Sequence, residues 1–191
     1  MKRPSAAKPA IMNVAKYFSF ATIVAALLLP VLGSAQDLEI FNGSFEQLDA
    51  KTGLPLGWTP WNPQRNLTAF TLGAASSGVA SALVTDDNAT DSQGLRSRPV
   101  KIEGGKTYEA SVRTKVESLQ AGGFACYLEY WNGTERLLNK AASTSQVGDW
   151  TDLTVSAQAP AEATTATILI YGSSASIGVA YFDDATLKLL P

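Results

Sequence analysis

"YFDDATLKLLP", residues 181–191, is the stretch on which the reading of this sequence turns. Tyr181, Phe182, Ala185, Leu187 and Leu189 give it the look of a buried strand, yet Asp183 and Asp184 stand in its middle. A buried carboxylate without a partner costs several kcal/mol, so the two cannot both face a core. Strict alternation separates them. It places Asp183 with Ala185, Leu187 and Leu189, and Asp184 with Thr186 and Lys188 on the watered side. Asp183 is then the acid that needs a cation, a proton or an arginine.

The segments upstream share this strand-like character. Almost no 3.6-residue periodicity occurs after residue 36; short alternating runs are punctuated by Gly, Pro, Asn, Asp and Ser. Strands are predicted at 37–41, 67–72, 79–85, 94–102, 107–116, 123–131, 136–141, 151–158, 164–172 and 178–189. Turn signals such as "EGGK", "QAGG" and "WNGT" divide them. That spacing predicts an all-β fold, an antiparallel β-sandwich of the jelly-roll kind.

The first 35 residues read differently. Lys2, Arg3, Lys8 and Lys16 precede an apolar run, "FATIVAALLLPVLG", and Gly33 and Ala35 fit a cleavage site. This pattern predicts a secretory leader over 1–35 and a single domain over 36–191, secreted, periplasmic or on the cell surface. An uncleaved anchor is the competing reading, opposed by Pro30 and by a run short of the ~20 residues a span needs. Removing the leader leaves 11 basic residues against 17 acidic ones, a net charge of −6. Nucleic acid and anionic membranes call for the opposite sign, so neither is an expected partner. A domain of this size buries roughly 70% of its extended surface and needs no disulfide. It has none within the chain, because Cys126 is the sole cysteine and reads as a small buried hydrophobe. The chain has no histidine, which removes Ser-His-Asp and Cys-His catalysis and the usual zinc and haem sites. Oxygen ligands remain, and outside a cell these suit calcium.

Alternation also assigns faces. Phe124, Cys126, Leu128 and Tyr130 oppose Ala125, Tyr127, Glu129 and Trp131; Ala166, Ile168 and Ile170 oppose Thr165, Thr167, Leu169 and Tyr171. In 107–116, Tyr108, Ala110 and Val112 oppose Glu109, Ser111, Arg113 and Lys115. The second sets define an outer surface where Tyr127, Trp131 and Tyr171 stand beside Glu129 and Arg113. Rings cover the C–H faces of a pyranose while charged groups bond its hydroxyls, so this set reads as a sugar site. Ordinary half-buried sheet aromatics are the alternative. Trp61, in the loop "GWTPWNPQ", adds a candidate platform, whereas Trp58 reads as a core anchor. Glu109 and Glu129 are the carboxylates from which a glycosidase would have to be built. Asp86, Asp87 and Asp91 in "TDDNATD" read as a solvated turn, lacking the glycine and terminal Glu of an EF-hand loop. Four Asn-x-Ser/Thr sequons begin at Asn42, Asn66, Asn88 and Asn132 and bear only on a host that N-glycosylates.

The ends of the domain carry a resemblance. "FNGSFEQ" at 41–47, Gly57-Trp58 and "YFDDATL" together resemble the carbohydrate-binding modules with a galactose-binding-like jelly roll, families four, nine and twenty-two among them. "SSGVASALV" and "VKIEGGKTYEASVRTKV" agree, so the resemblance spans nearly all of 37–190. It implies a structural calcium ion held by Glu46 and Asp183, with backbone oxygens near Phe45 and from the loop 75–78. It also implies a non-catalytic module that binds a polysaccharide or oligosaccharide. A β-sandwich of the envelope or matrix with no sugar site is the alternative, and a small jelly-roll hydrolase a third.

Overall fold

The structure is a computed structural model, and it describes residue 1, residues 34–173 and residues 175–191. The leader expected over 1–35 lies almost wholly outside the described residues. Fourteen strands follow among those described: β1 (Gln36–Leu38), β2 (Leu48–Asp49), β3 (Leu54–Pro55), β4 (Thr59–Pro60), β5 (Thr68–Leu72), β6 (Ala80–Asp86), β7 (Gln93–Arg96), β8 (Val100–Lys101), β9 (Thr107–Ala121), β10 (Phe124–Asn132), β11 (Glu135–Thr144), β12 (Thr151–Gln158), β13 (Thr165–Gly172) and β14 (Ile177–Leu189). One six-stranded sheet runs β12-β9-β14-β6-β5, with β1 pairing β14. The other runs β11-β10-β13-β7-β4, with β8 pairing β13. This is the all-β antiparallel sandwich that the alternation predicts. The expected strand at 94–102 is two strands. Ser97 interrupts it, its Oγ accepting the Ile168 N–H in place of a backbone carbonyl, and Pro99 offers no N–H to continue the ladder. The short strands β2, β3 and β4 have two residues each, too few to show a period.

The inward sets of the alternating strands make the core. Val112, Val116, Leu128, Ile168, Ile170 and Leu187 are among its buried members. Phe124 of one sheet meets Phe182 of the other at 6.3 Å between ring centroids, and Tyr108 meets Tyr130 at 6.2 Å. The Tyr130 hydroxyl crosses between the sheets to donate to the Ala157 carbonyl at 2.6 Å, which satisfies the one polar atom of a buried ring. Cys126 is buried and free, and burial pushes its thiol up to about 12, leaving it unreactive.

The "FNGSFEQ" motif ties the two ends of the domain together through its backbone. β1 pairs with the end of β14, and the Ala185 N–H donates to the Gly43 carbonyl at 2.8 Å. A side chain at 43 would strike the Ala185 carbonyl, so only glycine allows this approach. Asn42 is buried and braces the turn: its Nδ2 donates to the Gln47 and Leu56 carbonyls, each at 3.0 Å. The Trp58 Nε1 donates to the Asn42 carbonyl at 3.1 Å, and its ring packs 4.7 Å from Phe45. Trp58 is the anchor that its place in the sequence suggests.

The two aspartates depart from simple alternation. A β-bulge lies between Asp183 and Thr186, and Asp184 takes a left-handed backbone with φ of 50°. The bulge shifts the parity of β14: Phe182 points inward before it, Ala185 and Leu187 after it. Asp183 is paired with Arg113 and Tyr181 with Lys115, so Asp183 shares the outer side of its sheet and not the side of Leu187. It is nevertheless fully buried, because the loop before β6 folds over it. Ser76 and Ser77 N–H groups donate to its Oδ2 at 2.8 and 3.0 Å, and its own neighbour Asp184 N–H to Oδ1 at 2.8 Å. Burial raises the Asp183 carboxyl above the usual range, and these three N–H groups oppose it.

Asp86 closes the inner face of β6 at one end of the sandwich and is buried, with neither oxygen in a well-formed hydrogen bond among the described residues. Arg65 bridges its neighbours Asp87 and Asp91 at 2.6 and 2.7 Å instead, which cross-links the acidic turn. Burial pushes the Asp86 carboxyl up to about 6; the Asn88 amide relieves it only in part, and the charges of Asp87 and Asp91 add to the rise. The folded state therefore holds a proton more tightly than the unfolded one. Stability from this group is present below pH ~4 and is lost as pH rises towards the folded value of about 6. An Asp86→Asn variant is expected to be more stable than the parent at pH 7, on the order of 2 kcal/mol, with the gap closing at pH 4. Urea titrations at the two pH values check this.

Candidate functional site

The outer face of the β11-β10-β13-β7-β4 sheet collects the candidate residues, and pairing register sets their grid. Ala125, Tyr171 and Gly94 stand side by side; beside them run Tyr127, Leu169 and Arg96, then Glu129 and Thr167, then Trp131 and Thr165. Gly94 makes room for its neighbour, since a Cβ there would crowd the Tyr171 ring. Its carbonyl also accepts the Trp61 N–H at 2.8 Å, which seats the loop after β4 against the sheet. Trp61 and Tyr127 then meet the two sides of Tyr171 edge to face, at 5.5 and 5.6 Å. All four rings, Trp61, Tyr127, Trp131 and Tyr171, are half-buried. Burial, chiefly, raises the Tyr127 hydroxyl above its usual range, with Tyr171 and Glu129 adding to it.

Glu129 is the fixed point of this face. It is wholly buried although it lies on the outer side of the sheet. Arg96 grips it with two N–H donors, Nε at 2.7 Å and Nη2 at 3.1 Å; Arg136 Nη1 adds one at 2.9 Å and Thr167 Oγ1 one at 3.0 Å. Four donors match the lone pairs of a carboxylate. The arginines are held by rings in turn: the Arg96 guanidinium lies 4.8 Å from the Trp61 centroid and 5.0 Å from that of Trp131, with Arg136 5.9 Å from Trp131. The Trp131 Nε1 donates to Thr167 Oγ1 at 2.9 Å, so Thr167 links the indole to the carboxylate. Beside Trp131 opens a cavity of about 400 Å3, lined also by Thr59, Arg98 and Thr165.

Five of the six residues singled out for sugar binding thus meet on one face: Tyr127, Glu129, Trp131, Tyr171 and Trp61. Arg113 does not. It belongs to β9 in the opposite sheet, where its Nε lies 3.5 Å from Asp152. Alternation within a strand tells inner from outer, but both sheets of a sandwich have an outer side. The same geometry separates Glu109 of β9 from Glu129 of β10. They point away from each other on two sheets that pack ~10 Å apart, so they cannot form the pair, ~9.5 Å apart at most, that glycoside hydrolysis requires. Arg96, Arg136 and Thr167 were not anticipated. Their signal was present only as polar residues on outward positions of β7, β11 and β13.

The metal-site candidates come to one loop of the other sheet. Glu46 Oε1 accepts the Val79 and Ala80 N–H groups at 3.0 and 3.1 Å, while Asp183 takes those of Ser76 and Ser77. A Cβ on Gly78, whose φ is +62°, would collide with the Glu46 carboxylate. Among the described residues no group of three or more acidic, Cys or His side chains forms a metal cluster. Any ion here would draw on two carboxylates and on carbonyl oxygens, a donor set that fits calcium and no softer metal.

The family model for carbohydrate binding domains of families four and nine matches residues 39–176, and the chain belongs to that family. Solved structures share the fold. The CBM22-1 xylan-binding domain of Paenibacillus barcinonensis Xyn10C aligns at 18% identity and a TM-score of 0.57, over 82% of this chain and 98% of that one. The CBM22-1–GH10 structure of Clostridium thermocellum xylanase 10B, complexed with xylohexaose, aligns at 18% identity and TM-score 0.58, over 82% of this chain but 28% of that one. A Stig cyclase, Fisc from Fischerella sp. TAU, aligns at 18% identity and TM-score 0.61, over 83% of this chain and 99% of that one. At such identities the likeness speaks for the fold alone, which hosts both binding and catalysis. No curated protein matches the chain.

The Glu129 cluster makes a sharp contrast in stability. Glu129→Ala is expected to cost about 3–5 kcal/mol by stranding the arginines that it neutralises. Arg136→Ala, at the wet side of the same cluster, is expected to cost about 1 kcal/mol or less. Urea denaturation of the two variants measures the difference.

Proposed function

We propose that this protein is an exported, non-catalytic carbohydrate-binding module that lays a glycan across the outer face of the β10–β13 sheet. The observation that carries this reading is the row Tyr127, Tyr171, Trp61, Trp131, interleaved with a guanidinium that a buried carboxylate holds still. Rings supply apolar surface to C–H groups of a sugar, and fixed donors on Arg96 and Arg136 supply orientation. Preorganisation matters because a carbohydrate ligand has much rotational freedom to lose. Family membership and the xylan-binding relative support a polysaccharide or oligosaccharide as the partner. The basic and apolar leader pattern supports export.

The rings do not contribute equally. Tyr171 is wedged edge-on between Trp61 and Tyr127 and lies beside buried Leu169, which favours a packing role for it. Trp131, facing the cavity and tethered through its Nε1, carries the largest share of the contact. Trp131→Ala is expected to weaken glycan binding by about 2 kcal/mol, near 30-fold, with Tyr171→Ala acting mainly on stability. Affinity gels loaded with plant and microbial polysaccharides read this directly. Retention that survives alanine at all four rings would move the sugar site off this face, whereas no retention of the parent protein on any gel would favour an interaction module of the envelope or matrix.

A structural calcium ion at Glu46 and Asp183 belongs to the same proposal. Support comes from Asp183, fully buried with N–H groups as its only partners among the described residues, and from the shared loop that both carboxylates hold. Bound calcium would add positive charge where burial disfavours the anion. At calcium 100-fold above its dissociation constant, the ion contributes about 2.7 kcal/mol. Chelator is therefore expected to lower the melting temperature and calcium to restore it; an unchanged melting curve for a metal-stripped sample argues against the ion.

A further inference from the structure

The charge of the sugar-facing surface is opposite to that of the chain. From residue 36 onward acids outnumber bases by six, yet Arg96 and Arg136 hold Glu129, Arg98 lines the cavity beside it, and Lys101 stands next to cavity-lining Thr165 in the ladder. Arg96 and Arg136 are committed to that carboxylate. Arg98 is not: it makes no side-chain hydrogen bond or ion pair among the described residues, and it lines the cavity beside Trp131. Lys101 is paired across the ladder with Thr165, which lines the same cavity, and it too has no ion pair among the described residues. Glu135 is near in sequence, but it alternates with Arg136, and Arg136 is the residue whose partner in the ladder is Trp131. Glu103, the next acid along the chain, is exposed and lies 4.0 Å from Lys106.

Arg98 is also held in place. Its guanidinium stacks on the Phe41 ring at 4.4 Å. Gly57 makes that stack possible: its φ is +84°, and a Cβ there would collide with Phe41 and come within 3.1 Å of Arg98 Nε. A guanidinium stacked by its face keeps its in-plane N–H donors free, in the fork that matches a planar carboxylate. The cavity, about 400 Å3, therefore offers an indole wall, several threonine hydroxyls and an unspent, oriented cation. A neutral sugar can accept hydrogen bonds from that cation, but only a carboxylate also matches its charge and its planar fork.

We propose that this cavity is a subsite for a uronic acid residue, with its ring on Trp131 and its carboxylate on Arg98, assisted by Lys101. The inference rests on the glycan-binding reading of the face and narrows it to acidic polysaccharides. Calorimetry on the full chain tests it with oligogalacturonate, oligoalginate and glucuronic-acid-decorated xylo-oligosaccharide. Each is paired with its carboxyl-reduced twin, and a sulfated dextran forms a separate arm. The expected result is that at least one acid form binds on the order of tenfold tighter than its twin, as one charge-assisted bond allows. That advantage should shrink between low and high salt. Arg98→Gln should erase it while leaving the melting temperature in place, since the side chain is exposed. Equal affinity for all acid and reduced twins overturns the subsite and leaves the glycan-binding reading standing. Binding of the sulfated polymer without any uronate also overturns it, in favour of a sulfate site. Binding of no sugar at all overturns both readings.

Discussion

The aromatic outer face of the β10–β13 sheet depends on one buried ion cluster. Glu129 is sealed on the outer side of its sheet, and four donors from Arg96, Arg136 and Thr167 satisfy its oxygens there. A carboxylate is an expensive group to seal away. Here it turns two flexible cations into fixed parts of the surface. Arg96, so held, becomes the spacer between Trp61 and Trp131; Thr167 turns the Trp131 indole; and the rings shield the ions from water. Aromatics and ions are thus mutually dependent, and a change in either is felt by both.

A second constraint closes the fold. The turn around Asn42 joins the start of the domain to its last strand through Gly43 and Ala185, while Glu46 and Asp183 hold one loop from its two ends. A β-bulge at Asp183–Asp184 makes this possible by taking Asp183 out of the core-facing register and under that loop. A buried acid must be given partners. The partners here are backbone N–H groups, and the proposed calcium would stand in addition to them.

How far the sequence could be read depended on the range of the interaction. Period-two alternation in 107–116, 123–131 and 164–172 named the inward sets correctly, but only in 107–116 does it also separate buried from accessible: Ala125, Glu129, Thr167 and Leu169 stand on outward positions and are buried as well. Tyr127, Glu129 and Trp131 lie on one strand and Tyr171 on its ladder partner, so their common face followed from alternation and one pairing. Arg113 failed the same test because sheet membership is not a local property. Arg96 and Arg136 escaped notice for a related reason: a guanidinium on an outer position looks like a solvated charge until its partner is known. Asp183 was singled out for a sound reason, its cost of burial, but was placed on the wrong side of its strand. Alternation cannot foresee a bulge.

The sequence by itself determined the class of fold, the positions of the main strands, the absence of histidine and disulfide chemistry, and the family motifs at both ends. These follow from composition, from the two-residue period of a strand and from short runs of residues. Tertiary structure alone decided which outer face is which, which arginines neutralise Glu129, which guanidinium stays free, and where Asp183 points. Most of those outcomes rest on contacts between residues 30 to more than 100 positions apart, as Arg96 with Glu129 and Ser76 with Asp183 illustrate, while Arg136 reaches Glu129 across a hairpin whose register is itself shifted. No periodicity within a strand encodes them; they exist only once two sheets and their loops are packed together.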